Sequence, residues 1–106
     1  MKYIFLHGLG QNPSSWDITI SNMEKQENIT CLNLPLLLKN KEATYSNLYN
    51  ALVDYCKDIY EPLNLCGLSL GAVLALNYAL DNPKMTKSLV LIGAQCKMPK
   101  TLLKFQ

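Results

Sequence analysis

The run Leu63-Asn64-Leu65-Cys66-Gly67-Leu68-Ser69-Leu70-Gly71-Ala72 decides the fold. Its first four residues are a short apolar stretch that begins after Glu61-Pro62 and reads as a buried strand. The stretch from Ala72 to Leu80 is a helix, apolar nearly all round, until Asn82-Pro83 stops it. A strand feeding a helix through Gly-x-Ser-x-Gly is the pattern of a sharp turn that displays a nucleophilic serine, here Ser69. Its glycines have a steric reason. So tight a turn strains the serine backbone, and a side chain at Gly67 or Gly71 would strike the neighbouring strand or helix. The bare pattern arises by chance in roughly 3% of chains of this length, so it is the strand before it and the buried helix after it that give it weight. The alternative is a glycine-bounded helix cap in which the Ser69 hydroxyl satisfies the first amides.

Outward from this turn, the same alternation repeats. Lys2 to Leu6 is a strand ended by His7-Gly8-Leu9-Gly10, and Pro13, Ser14 and Ser15 begin a helix with Trp16, Ile20 and Met23 on one face and a polar end at Glu24 to Asn28. Ile29 to Leu34 is a second strand closed by Pro35, followed by a charged loop at Lys39 to Glu42. Thr44 or Ser46 caps a helix whose stripe is Tyr45, Leu48, Leu52, Cys56 and Ile59, ending near Glu61-Pro62. Ser88 to Ile92 is a fourth strand ended by Gly93. Four apolar strands alternating with three helices predict an α/β fold of three layers, α/β/α, around a parallel sheet of about four strands covered on both faces. Ligands in such sheets sit at the carboxyl ends of the strands, where both glycine turns fall.

Bulk properties agree with a soluble globular chain. Of 106 residues, 49% are hydrophobic and 17% charged, too apolar for disorder and without a membrane-length run. A formal charge of +2 from scattered lysines gives no phosphate-tracking patch, so neither nucleic acid nor a membrane is an expected partner. Cys31, Cys56, Cys66 and Cys96 have neither zinc-site spacing nor the density of a secreted disulfide scaffold, and read as reduced core thiols. With no signal-peptide pattern at Met1-Lys2, the expected location is the cytoplasm. No cofactor or metal is expected: Gly8-Leu9-Gly10 is followed by Pro13 where a dinucleotide fingerprint needs glycine, and no phosphate-loop motif occurs. Cys66, inside an apolar strand, is not expected to act as a thiol nucleophile.

Four segments together resemble the α/β-hydrolase fold family over essentially the whole chain. His7-Gly8-Leu9-Gly10 with Trp16 six residues on is similar to the family's oxyanion loop, and Asn33-Leu34-Pro35 to the D-L-P after its next strand. Gly67 to Gly71 is similar to its nucleophile elbow, and Leu89 to Ala94 to the strand that follows. Two departures stand out: Leu36-Leu37-Leu38 replaces a frequent G-x-G, and Leu68 occupies a position where histidine is common. The resemblance implies that Ser69 is the nucleophile, that the backbone amides of Leu9 and Leu70 form the oxyanion hole, and that His7, Gly8 and Gly10 shape the loop. A serine at this position favours cleavage of esters, thioesters or related acyl substrates over the branches that use aspartate.

The family's chain order is serine, acid, histidine. His7, the single histidine, precedes Ser69 and is expected to be a hydrogen-bonded structural imidazole rather than the base. Trp16 is expected to pack in the core and Asp17 to be a first-turn helix acid. Asp81, the single acid after Ser69, lies at the far end of its helix and is expected to be solvated, as are Asp54, Asp58 and Glu61 on or beyond the preceding one. Residues 1–106 therefore read as the N-terminal part of one α/β-hydrolase domain, without the cap and the C-terminal catalytic part. The chain alone is expected to be catalytically incomplete, and its fourth strand to offer an open edge for self-association. A non-catalytic binding protein and a lyase or carbon–carbon bond hydrolase on the same fold are the rival readings.

Overall fold

The computed structural model describes residues 2–8, 11–23 and 28–93. Four strands, β1 (Lys2–Leu6), β2 (Ile29–Leu32), β3 (Leu63–Leu68) and β4 (Thr86–Ile92), form one parallel sheet in the order β2-β1-β3-β4. The chain steps from β1 outward to β2, then returns past β1 to β3, so the strand order reverses between the two central strands. That reversal opens a crevice at their carboxyl ends. Register places Leu6 beside Gly67, which brings both glycine turns to the same point of the edge.

Right-handed crossovers put the connections on opposite faces once the order reverses. α3 (Tyr45–Cys56) and α4 (Leu70–Asp81) cover one face, where Ile4, Leu6, Leu63 and Leu65 of the sheet pack with Leu48, Leu52, Leu74 and Tyr78 of the helices. On the other face the first crossover lays Trp16 edge-on against Phe5, ring centroids 4.9 Å apart. The three layers are thus present, with the second face more thinly covered among the described residues: Val90 and Ile92 keep 51% and 43% of their surface.

Several elements depart from the sequence reading. The first crossover is not one long helix but a 3-10 turn over Pro13–Trp16 followed by α1 (Asp17–Ser21), and Asn12 rather than a serine caps it, its side chain accepting from Ser14 N. The expected polar end of that helix, at residues 24–27, lies outside the described residues. β2 stops at Leu32, and Leu34–Leu37 forms a short helix, α2, where strand and loop were expected. Asn33 Oδ1 accepts the Leu36 amide at 3.2 Å and Pro35 stands in the first turn, so the residue that seemed to close a strand begins a helix. Thr44 is the cap of α3, accepting from Asn47 N, and the helix ends at Cys56, before Ile59.

Three of the four cysteines are described, all as free thiols; Cys96 lies outside. Cys31 and Cys66 both register against Phe5 from opposite sides, hence about 9–10 Å apart across two strand spacings, beyond disulfide reach. Burial pushes the Cys56 thiol up to about 11, as expected of an inert core residue.

Candidate active site

At the carboxyl end of β3 the backbone turns within one residue. Ser69 has φ 55° and ψ −113°, a conformation that costs a residue with a Cβ about 1–3 kcal/mol and persists only where the surroundings over-determine it. They do. The Ser69 N–H donates to Ile92 O at 2.9 Å, tying the turn to the end of β4, and its carbonyl accepts from Ala72 N at 2.9 Å and Val73 N at 3.2 Å. The flanking glycines leave no alternative path. A Cβ at Gly67 would lie 2.3 Å from Gly71 O, and one at Gly71 would lie 2.1 Å from Leu6 O and 2.8 Å from His7 O. α4 therefore starts in direct contact with the end of β1.

The Ser69 side chain is exposed and makes no capping hydrogen bond to α4. The helix-cap alternative requires that bond, and the positive φ is not the extended conformation of a capping serine. What remains is a hydroxyl presented at the positive end of a twelve-residue helix. The Leu70 amide, first in that helix, has no intrahelical acceptor, and no described residue accepts from it.

Across the crevice, the end of β1 is held by hydrogen bonds. His7 is 2% exposed, and its Nε2 accepts the Leu34 amide at 3.1 Å. A backbone N–H can only donate, so Nε2 carries the lone pair, and the proton on Nδ1 is given to Gly8 O at 2.9 Å. Both ring nitrogens are committed, so His7 cannot take a proton from Ser69 without giving up a bond. Gly8 lies against the serine: a Cβ there would be 3.3 Å from Ser69 Cβ. Leu9 and Gly10, expected as oxyanion donor and loop glycine, lie outside the described residues.

The candidate acids are placed elsewhere. Asp81 ends α4, about 16 Å along the axis from Leu70. It is not merely solvated, since it accepts the Tyr49 hydroxyl and helps join α3 to α4; burial first, and then this bond, raise the Tyr49 phenol above its ordinary value. Asp54 is paired with Lys57 at 2.7 Å, which holds its carboxyl below the usual range. A cavity of about 440 Å³ beside α3, lined in part by Lys39, Lys41, Asp54 and Tyr55, shares no residue with the serine site. Among the described residues no three His, Cys, Asp or Glu side chains converge as metal ligands, and no helix is long and apolar enough to cross a membrane.

Two features had no clear signal in the sequence. Gln11 belongs to no motif in the sequence, yet its side chain accepts the Gly8 amide at 2.9 Å. The α2 start, which supplies the Leu34 amide to His7, is concealed by Pro35.

A fold of this order with a strained serine at its reversal point is that of an α/β hydrolase. The chain belongs to the α/β hydrolase fold family, whose model matches residues 4–106. Among characterised proteins it is similar to the pimeloyl-[acyl-carrier protein] methyl ester esterase of Pseudoalteromonas atlantica, 29% identical over 101 residues, 93% of this chain and 39% of that protein. Among solved structures it is similar to a protein assigned as a lipase from Acinetobacter baumannii AYE, with TM-score 0.77 and 23% identity over 89% of this chain and 34% of that one. It also resembles a bacterial membrane phospholipase A, with TM-score 0.76 and 22% identity over 92% of this chain and 34% of that one. The chain thus spans about two fifths or less of the length of these relatives.

Proposed function

We propose that the whole protein hydrolyses an ester or thioester of a small acyl substrate, with Ser69 as nucleophile. The observation that carries this reading is the Ser69 backbone at φ 55°, fixed by Ile92, Ala72 and Val73 while the residue stays exposed and its hydroxyl makes no capping bond to α4. Strain of this kind is retained where a reactive group must be presented. An esterase among the relatives, and structures described as a lipase and a phospholipase, support acyl cleavage.

In this reading Ser69 Oγ bonds to the acyl carbon, and the carbonyl oxygen gains negative charge between the amides of Leu70 and Leu9. Each such donor is worth about a hundred- to a thousandfold in rate. The serine proton passes to a histidine, steadied by an acid, both supplied by chain beyond Gln106, since His7 is committed to Gly8 and Leu34. That histidine returns the proton to the departing alkoxide or thiolate, and water then releases the acid from Ser69. The second reading, a non-catalytic binding protein, is favoured by that same engagement of the one histidine.

A fluorophosphonate probe separates the two. The full-length protein is expected to be labelled, and Ser69→Ala to lose the label with its thermal unfolding otherwise retained. A folded full-length protein that takes no label, or a Ser69→Ala variant labelled as well as wild type, overturns the hydrolase reading.

A further inference from the structure

The cavity of about 440 Å³ beside α3 is built from two kinds of residue. Its wall is apolar: Leu37 and Leu38 stand at the end of α2 and Ala51 on α3, with Tyr55 one turn further along the same helix. Its rim is charged, and unevenly so. Lys39 and Lys41 line it as exposed residues with no ion-pair partner among the described residues, whereas Asp54, the acid of the lining, is already bonded to Lys57 at 2.7 Å. Lys57 holds the Asp54 carboxyl below its ordinary value, and Lys39 and Lys41 push it the same way, so both ammonium groups act on this side of α3. With Asp54 neutralised by Lys57, two positive charges are left over at the mouth of an apolar hollow.

The turn that carries the two lysines is strained. Lys41 N–H donates to Leu38 O at 3.0 Å, and the residues between them, Lys39 and Asn40, have φ 50° and φ 70°. A turn with both central residues left-handed favours Asn-Gly or Gly-Gly. Asparagine is at ease in that region and lysine is not. Backbone strain gathers at ligand clamps, and the effect of this turn is to bring positions 39 and 41 to one cavity.

The lining also selects a ligand chemistry. An ammonium is a compact point charge that suits phosphate oxygens, and two uncompensated ones match a dianion better than a monoanion. The volume falls within the roughly 300–1,000 Å³ of small-molecule sites, and admits a ring or short chain beside the anionic group. We infer that this cavity is a second binding site, for a small phosphate or phosphonate dianion carried on an apolar body, with Lys39 and Lys41 meeting the oxygens and the Leu37, Leu38, Ala51 and Tyr55 wall enclosing the body. Asn50, also on the lining, adds an amide donor for the same oxygens. The cavity shares no residue with the serine site, so this inference stands or falls apart from the hydrolase reading.

The test is a titration of phenylphosphonate into the isotope-labelled full-length protein, followed through its backbone amide resonances. Saturable binding is expected with a Kd of about 1 mM or below, the shifts centred on residues 37–41 and 50–55. Inorganic phosphate, which has the charge without the ring, and benzyl alcohol, which has the ring without the charge, are each expected to bind at least about tenfold more weakly. The double variant Lys39→Asn/Lys41→Gln removes both charges while asparagine suits the left-handed position, and is expected to weaken phenylphosphonate about fivefold or more. Ala51→Leu crowds the wall with a good helix former, keeps both lysines, and is expected to weaken it as much. No saturation by about 10 mM, or shifts centred on residues 67–72 instead, overturns the inference. So does either simpler ligand binding as tightly as phenylphosphonate, which would leave charge or apolar contact alone as the cause. Wild-type affinity in the lysine variant or in Ala51→Leu overturns it as well. If a variant does not fold, the three ligands compared on the wild-type protein decide by the same tenfold margin.

Discussion

The turn after β3 and the turn after β1 meet at one point of the sheet edge, yet they are held by different physics. Around Ser69 the constraint is exclusion: the atoms nearest to a Cβ at Gly67 or Gly71 are all backbone, at 2.1 to 2.8 Å, and none can move without moving a strand or a helix. Around Gly8 the constraint is attraction, from the Gln11 side chain and the His7 ring, and the closest atom to a Cβ is a side-chain oxygen that can swing away. Hard packing suits the residue whose strained backbone must not relax, because a conformation costing about 1–3 kcal/mol would otherwise unwind. Hydrogen bonds suit the facing turn, where Gly8 has no positive φ to hold in place. Substitutions at the two turns are therefore expected to fail in different ways.

The largest expected effect is at the elbow. Gly71→Ala places a methyl group where Leu6 O and His7 O already stand, and overpacking of a site that cannot collapse is expected to cost about 3 kcal/mol or more. Urea unfolding of the full-length protein would show it as a lower midpoint or as loss of the cooperative transition. An unchanged midpoint would mean that α4 can shift off β1, and the proposed rigidity of the elbow would fail.

At the facing turn, Gly8→Ala tests the softer constraint. Gly8 has no positive φ, so the added methyl meets only its neighbours, and Gln11 Oε1 at 2.9 Å must give way. The expected loss of stability is about 1 kcal/mol, while the rate of fluorophosphonate labelling at Ser69 falls about tenfold, because the methyl also presses on Ser69 Cβ and Leu68 O. A stability loss as large as the one expected of Gly71→Ala would erase the distinction between the two turns.

The same division explains what could be read from the sequence. The elbow was legible because exclusion leaves a compositional mark: where a Cβ does not fit, only glycine occurs, and Gly67 and Gly71 stand at fixed spacing from Ser69. The four strands and α4 were legible as apolar runs bounded by breakers, and α3 because burial of one face imposes a period on its apolar residues. Hydrogen bonds between side chain and main chain leave no such mark. Nothing in Gln11 distinguishes a residue that grips Gly8 from one that faces water, and Asn33-Leu34-Pro35, although an asparagine cap and an early proline suit a helix start, reads equally as the end of a strand. The expected helix after Pro13 fared worst, for Trp16, Ile20 and Met23 keep helical spacing although the regular helix runs only from Asp17 to Ser21. Apolar spacing records which side chains face inward; it does not record how many turns connect them.

The smallest expected effect probes how far the hydrogen-bonded turn extends. Asn33 caps α2 through Leu36 N, and the residue after it, Leu34, gives its amide to His7 Nε2, so the α2 start forms the outer end of a chain of bonds running through His7 to Gly8. Asn33→Ala removes the cap and is expected to cost about 0.5–1 kcal/mol, since the bond is exposed to water. If the chain transmits order, the Gly8 amide exchanges its hydrogen faster in Asn33→Ala while the Ser69 amide, bonded to Ile92 on the far side of β3, does not. Faster exchange at both amides would mean that the two turns open as one unit, and no change at either would end the coupled chain at His7.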